Sequence, residues 1–595
     1  MTTELQSNVL SASTIRKVLP SCMVYALVQS VTFMVDTIVA GHFLGTDAVA
    51  AVALGMPIIG LMLSFAGMIL QGGFLKMLEA LGRSDRKDFL RIFSVTLTFT
   101  LIVDLVFLSI CMFGTDSVLN IAGAMKATPA AVVMGRLYIR TACWMILFFC
   151  LGSIFQLVMA TYGYQTDRML ASIICVVVNV VTSVLFINLL QGDLRIAGLG
   201  IGSALGTLAQ TLTAFVMMRR RKVSVQYRFY PLNKQNLLDS LDMLRRGLPS
   251  SVDNMLDSVS GSIVNRLILG LFAQGTEVLA LVAIIKTLNS IVRTVGRGVF
   301  YSAEPLVGIL HGGRDNEGIK KTFTTALKLG LAWAAGLAVL LIAAQVPLLN
   351  FYNMNGNPDA HIGLTLVAIS GLVFVFSFAF NAVYEASGHL TLSLLVAVIP
   401  DSILYPLLLP VLTRAFGVTG VWLAMGYCFI PFFLVYYLAF VVINRRFPVP
   451  LERLLALRKM KERSTALDVS IPTEAESVTF VSEQLQNFFL ENGAPAKVAY
   501  ACALCMEEIA ADYLEHRKTA GSSTNKSYMD IKAFRDPEKI ELVLRNYDEP
   551  YNPLVFERED ESFSKIGVSM VQRISKEITY GYAYHLNVVS VTIDA

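Results

Sequence analysis

Apolar stretches of spanning length recur along most of this chain, near 17–43, 47–78, 89–114, 131–160, 169–190, 196–218, 248–273, 277–310, 322–349, 361–386, 391–412 and 418–443. A helix needs about 20 mostly apolar residues to cross a bilayer. Every backbone polar group must then be satisfied inside the helix, because hydrocarbon offers no partners. These stretches predict an all-α polytopic membrane protein with about 12 transmembrane helices. The second and eighth are over-long, which predicts tilt or an interfacial end. The pattern stops before residue 460. Residues 1–460 carry 34 Lys and Arg against 22 Asp and Glu, whereas residues 461–595 carry 14 against 22. A bilayer part with net charge +12 is thus joined to a water-soluble tail of −8. This division excludes a wholly soluble enzyme, a disordered chain and a nucleic-acid binder. Cys22, Cys111, Cys143, Cys150, Cys175 and Cys428 lie in apolar stretches, and Cys502 and Cys505 form a CxxC without a second pair. They read as small hydrophobes, not as a disulfide framework or metal site. The polar start Met1–Ser13 before a spanning stretch predicts no cleavable signal peptide.

Positive charge predicts the orientation. Basic clusters fall at Arg83, Arg86 and Lys87, at Arg219–Lys222, at Arg314, Lys320 and Lys321, and from Arg445 to Arg463. The alternate loops hold only isolated Lys126, Arg195 and Arg414. Both termini are therefore expected in the cytoplasm. The halves also repeat: Leu19-Pro20-Ser21 returns as Leu248-Pro249-Ser250, Gly41 as Gly270, Gly45-Thr46 as Gly275-Thr276. The Gly82-Arg83-Ser84-Asp85 turn echoes Gly313-Arg314-Asp315. Six spans per half predict parallel repeats about an axis along the membrane normal, with a substrate cavity between them. The expected organisation is a six-helix bundle over 1–222, a cytoplasmic connector over 223–247, and a second six-helix bundle over 248–445. A basic linker over 446–463 then leads to a cytosolic α+β domain over 464–595.

The run Val35-Asp36-Thr37-Ile38-Val39-Ala40-Gly41-His42-Phe43-Leu44-Gly45, followed by Ala48–Ala53 and Pro57, resembles the first-helix signature of the multidrug and toxic compound extrusion (MATE) transporters. Gly247-Leu248-Pro249 and Glu304-Pro305-Leu306-Val307-Gly308 are similar to later signatures of that family. The resemblance covers about 1–445. It implies a V-shaped, two-bundle antiporter that exports organic, often cationic, amphiphiles in exchange for protons or sodium. A flippase for lipid-linked precursors, from the same superfamily, stays open as a second reading.

A charge at the bilayer centre costs about 2.5–3.5 kcal/mol on insertion scales, so intramembrane charges are functional candidates. Asp36 lies deep in the first span, and its counterpart in the repeat is Asn265. A carboxylate there can hold a proton or a sodium ion, and the resemblance implies the same role. The fifth span offers Asn179, Thr182 and Ser183 but no second acid, so Asp36 and Asn179 form the expected ion-coupling site. The second bundle supplies cavity candidates: Asp253 and Asp257 at i and i+4, then Arg266, Lys286, Arg297, Glu304 and Asp401. An internal salt-bridge network is the alternative for the same residues. Arg140 and Asp104 are expected to pair between helices.

The tail alternates helix signals (478–492, 494–516, 566–577) with strand signals (527–534, 541–546, 587–593). Its order resembles a GHKL-type ATPase domain, nearest to anti-sigma-factor serine kinases. Glu508, Asp512 and His516 stand where that family has Glu, Asn and His. Asn546 and Asp548 replace the adenine-reading Asp and a glycine, ahead of Tyr551-Asn552-Pro553, and the glycine-rich box keeps only Gly567. Backbone cradles for phosphate need glycine's freedom, and added carboxylates repel nucleotide. The resemblance therefore implies a degenerate nucleotide site. No cofactor is required beyond the coupling proton or sodium ion, with ATP and magnesium disfavoured. The expected partners are a small-molecule substrate, the lipid bilayer and a cytosolic protein on the tail. A membrane sensor with a kinase-like output is the reading from another class.

Overall fold

The computed structural model describes residues 9–32, 34–121, 128–223, 225–230, 234–351, 354, 356–457, 465–519, 528–535, 538–555 and 563–595. The first half comprises α1 (Val9–Thr32), α2 (Val35–Phe43), α3 (Thr46–Gly82), α4 (Arg86–Phe113), α5 (Thr115–Ile121), α6 (Pro129–Ala142), α7 (Trp144–Thr161), α8 (Gln165–Leu189) and α9 (Ala197–Arg220). The second comprises α10 (Lys234–Leu271), α11 (Gly275–Gly312), α12 (Asn316–Ala343), α13 (Gln345–Phe351), α14 (Pro358–Ala386), α15 (Leu390–Val398), α16 (Tyr405–Phe416), α17 (Val418–Tyr427) and α18 (Phe429–Asn444). Among the described residues, nine helices are long and apolar enough to cross a membrane, and two pairs bent by 43° raise the number to 11. Those pairs are α1 with α2 and α17 with α18. The expected seventh span falls within α10, where the apolar helix among the described residues is the shorter Val259–Leu271. Asp253 and Asp257 interrupt the stretch before it.

α10 begins inside the connector and runs unbroken into this stretch. Its first turns present Leu237, Leu238 and Leu241 outward. The polar face packs inward instead: Asp239 accepts from Lys76 Nζ at 2.7 Å and Arg91 Nη1 at 2.5 Å. The two halves meet closely farther along, where a Cβ on Gly72 would lie 1.8 Å from the Met243 carbonyl oxygen. Only glycine permits that approach of α3 to α10.

After α19 (Leu451–Leu454) comes an α+β unit: β1 (Thr465–Pro472), α20 (Ala475–Glu491), α21 (Ala496–Thr519), β2 (Tyr528–Arg535), β3 (Lys539–Tyr547), α22 (Phe563–Ile574), β4 (Glu577–Ala583) and β5 (Leu586–Asp594). The strands form one antiparallel sheet in the order β1-β2-β3-β5-β4. Ile531, Leu542, Leu544 and Val591 pack one face against Val481, Leu485, Phe489, Met506 and Ile509. β1 and β4 are additional to the three strands expected from the sequence.

Because side chains alternate along a strand, the other face is polar: Asp530, Lys532 and Arg545 point there, and all three are buried. A buried ammonium must be paired; Lys532 pairs with Asp468 of β1 at 2.7 Å and with the membrane part as well. Asp315, in the turn between α11 and α12, accepts from Lys532 Nζ at 2.7 Å and from Arg545. At the far end, the β4–β5 hairpin tip enters between helices of both halves. The Tyr584 amide donates to the Thr161 carbonyl at 2.8 Å, and its hydroxyl to the Ser302 carbonyl at 2.8 Å. The His585 amide donates to the Tyr162 carbonyl at 3.2 Å. The sheet thus touches both halves on the side that carries the basic loops.

Candidate functional site

Asp36 stands in the first turn of α2, just after the bend. A helix amino terminus favours negative charge. The side chain is 4% exposed. Tyr138 on α6 donates its hydroxyl to Oδ2 at 2.7 Å, and Ser203 on α9 donates to Oδ1 at 2.8 Å. Behind them, Asn179 Nδ2 donates to Ser203 Oγ at 3.2 Å, and Ser183 Oγ donates to Asn179 Oδ1 at 3.0 Å. α8 and α9 come close enough because a Cβ on Gly206 would lie 2.8 Å from that of Asn179. Among the described residues, no Lys or Arg lies within ion-pair distance of Asp36. The site is a carboxylate surrounded by oxygen and amide groups, the donor set that hard cations take. Asp36 and Asn179 come together through Ser203. Tyr138 and Ser203 are not recognisable from the sequence, since single hydroxyls in apolar helices carry no distinguishing signal.

The candidates of the second half do not form one site. Asp401 lies in a π-helical segment, Ile399–Leu404, and is ion-paired with Arg293, which also sits 4.8 Å over the Phe374 ring. Glu304 accepts from Gln71 Nε2 at 2.5 Å, and the same nitrogen donates to Glu385 at 3.1 Å. Ser250 also donates to Glu385. Gln71 belongs to α3, so this cluster joins the two halves. Arg297 Nη1 donates across the same divide to Ser30 Oγ at 3.1 Å. Arg266 and Lys286 are exposed and Asp253 is half-buried. The side chain of Asp257 lies outside the described residues. Arg140 Nε donates to Thr115 Oγ1 at 3.0 Å, and Asp104 is buried toward Cys150.

In the sheet domain, side chains of the chain itself crowd the residues expected at a nucleotide site. Tyr551 donates its hydroxyl to Asp512 at 2.7 Å and stacks on His516 with ring centroids 3.6 Å apart. Tyr513 donates to Asp548 at 2.8 Å. Asn546 accepts from Asn587 at 2.9 Å. Glu508 presses on Gly567, where a Cβ would lie 1.7 Å from its Oε2.

The family model described as MatE matches residues 20–185 and 249–408, more than half of the chain and one block in each half. The chain belongs to the MatE family. It is accordingly a multi-pass membrane protein, and the relatives it matches are transporters rather than enzymes. The probable multidrug resistance protein YoeA of Bacillus subtilis (strain 168) is 29% identical over 245 residues, which are 39% of this chain and 51% of YoeA. The chain thus spans about half the length of that relative. The multidrug export protein MepA of Staphylococcus saprophyticus is 21% identical over 64% of this chain and 82% of MepA. A solved outward-facing structure of a multidrug resistance MATE family transporter superposes with a TM-score of 0.64 at 18% identity, covering 75% of this chain and 97% of that one. This last likeness shows the fold. The MatE match ends at residue 408, before the sheet domain.

Proposed function

We propose that the chain is a secondary antiporter of the cell membrane that exports organic, amphiphilic or cationic compounds against inward flow of protons or sodium ions. The observation that carries this reading is Asp36, buried among Tyr138, Ser203 and Asn179 with no basic partner among the described residues. Such a carboxylate can take up and release a cation. Ion and substrate then favour different states of the two halves by differential affinity, and the halves rock about a cavity between them. The multidrug names of YoeA and MepA support the substrate class.

Both termini are cytoplasmic in this reading, with the basic loops and the sheet domain on that side. The domain is a regulatory module of GHKL-like descent. Its polar face holds both halves together at the cytoplasmic end, and a protein contact takes the place of nucleotide. The stacking of Tyr551 on His516 and the placement of Glu508 against Gly567 support a site that no longer needs ATP or magnesium.

Transport in proteoliposomes under separate proton and sodium gradients tests the reading. Wild type is expected to move a fluorescent organic cation under one gradient, and Asp36→Asn under neither, at equal protein content. Gradient-driven uptake that survives in Asp36→Asn would overturn it.

A further inference from the structure

The two turns that repeat in the sequence take no part in the transport site, yet the fold brings them together. A Cβ on Gly82 would lie 2.8 Å from Gly312 Cα, so the turn of the first half abuts that of the second. Ser84 and Arg314 both adopt left-handed backbone, with φ of 57° and 55°. The polar face of the sheet lies over both turns and leaves a cavity of about 230 Å³ between the three bodies. Arg83 comes from the first half, Arg314 from the second, and Lys539 and Arg545 from β3. Glu541 is the single acid among the lining residues.

These cations differ in their engagement. Arg83 pairs with Glu79 at 3.1 Å and Asp88 at 3.3 Å, and Arg545 pairs with Asp315. Arg314 and Lys539 have no ion-pair partner among the described residues, and both are exposed. Arginine forks match oxyanions in two-point geometry, and lysine adds a point charge. The cavity is smaller than the roughly 300–1,000 Å³ of drug-sized pockets. Its volume equals that of about eight waters at about 30 Å³ each, which suits a small anion with several oxygens.

We propose that this junction is a binding site for a phosphate-bearing anion that bridges the two transporter halves and the docked sheet. Arg314 and Lys539 provide the free charge, and Arg83 and Arg545 line the remaining wall. The occupant is a free polyphosphate or the headgroup phosphate of an anionic lipid. Because it touches all three bodies, a bound anion strengthens the closed, docked arrangement. That consequence rests on the regulatory reading above, whereas the binding itself does not.

Calorimetric titration of the full-length protein in neutral detergent with inorganic pyrophosphate, at fixed ionic strength, tests the site. Wild type is expected to bind saturably. Arg314→Gln with Lys539→Gln is expected to bind about a hundredfold more weakly, each of the two lost charge-assisted contacts being worth about tenfold. Glu541→Gln is expected to bind more tightly, which gives a second readout should the double variant fold poorly. No saturable heat for wild type up to about 10 mM, a concentration that detects even millimolar affinity, overturns the proposal. Equal affinity of wild type and both variants does the same. Repeating the titration in nanodiscs separates the sources. Pyrophosphate binding weakened by phosphatidylglycerol, relative to phosphatidylcholine alone, assigns the site to a lipid headgroup. Equal binding in the two assigns it to a free anion. The readout needs no transport, so failed transport and failed binding remain separate results.

Discussion

At the scale of single residues, Asp36 was legible in the sequence because a charge in an apolar stretch has no ordinary reason to be there. Its donors were not, since tyrosine and serine sit in any helix without comment. The donor hydroxyl of Tyr138 is worth about 1–3 kcal/mol to a buried acceptor. Tyr138→Phe is expected to keep transport but shift the half-saturating concentration of the coupling ion by about tenfold, read from initial rates across an ion series. An unshifted series would remove Tyr138 from the coupling site. Asp315 shows the opposite case, for its turn was visible only as an echo of Asp85. Both aspartates cap a following helix: Asp85 accepts from the Asp88 amide at 3.0 Å and Asp315 from the Gly318 amide at 2.8 Å. Only Asp315 meets Lys532 and Arg545, partners more than 200 residues away. Burial alone would raise the Asp315 carboxyl, but these two cations hold it well below the ordinary carboxylate range. Asn still caps a helix, so Asp315→Asn removes the charge and keeps the turn. Breaking one partner of a buried pair costs about 3–5 kcal/mol, and here the loss falls chiefly on Arg545, because Lys532 keeps Asp468 at 2.7 Å. Faster amide exchange in β2 and β3 of that variant, with α12 unchanged, is the expected result.

At the scale of elements, helices were easier to read than strands. Long apolar runs fix a spanning helix, but the tail's strands are short and two of them were missed. β4 (Glu577–Ala583) alternates Ile578, Tyr580 and Tyr582, yet its turn carries no Asn-Gly or Asp-Gly signal. The turn is Tyr584-His585, with φ of 53° and 61°, a left-handed conformation uncommon for such residues. What holds it is tertiary: the contacts with Thr161, Tyr162, Gly163 and Ser302. The same dependence makes this hairpin pH-sensitive. His585 Nε2 lies 3.1 Å from the Gly163 carbonyl, which can only accept, so Nε2 carries the proton of a neutral ring. Burial lowers the His585 pKa below its ordinary 6.5; the Gly163 carbonyl and Glu549 oppose this, and Arg221 and Lys17 add to it. The undocked tip therefore takes up a proton more readily than the docked one. By linkage, the His585 contribution to docking is complete above about 6.5 and falls as pH drops through that value. Asp530, pushed up to about 6 by burial, has the opposite sign, because its protonation favours the buried state as pH falls. In an Asp530→Asn background, exchange at 582–586 should rise between about pH 7.5 and 5.5 beyond the intrinsic pH effect. His585→Asn in that background is expected to abolish the rise, and its persistence would assign the sensitivity elsewhere.

At the scale of the whole molecule, the repeat and the charge division were both visible in the sequence, but their connection was not. A polar sheet face reads as a solvated face until the membrane part is seen covering it. That cover has a mechanical consequence. The Asp315 turn and Ser302 belong to the second half, and Thr161, Tyr162 and Ser84 to the first, so the docked sheet spans the seam along which the halves would part. Opening on that side must release the sheet from at least one half. The contact of β4 with the first half offers a direct test. A Cβ on Gly581 would lie 3.4 Å from Ser84 Cβ, near the 3.5–4.5 Å of disulfide-linked pairs. All eight native cysteines are buried, so a Ser84→Cys, Gly581→Cys pair should cross-link with little background. If release from the first half belongs to the cycle, oxidation should bring transport to background and a reductant should restore it. If the sheet parts from the second half alone, the cross-linked protein keeps transporting. In that outcome Asp315→Asn should speed transport, because it weakens the remaining attachment. Unchanged rates in both experiments would leave the sheet a passive passenger on the transporter.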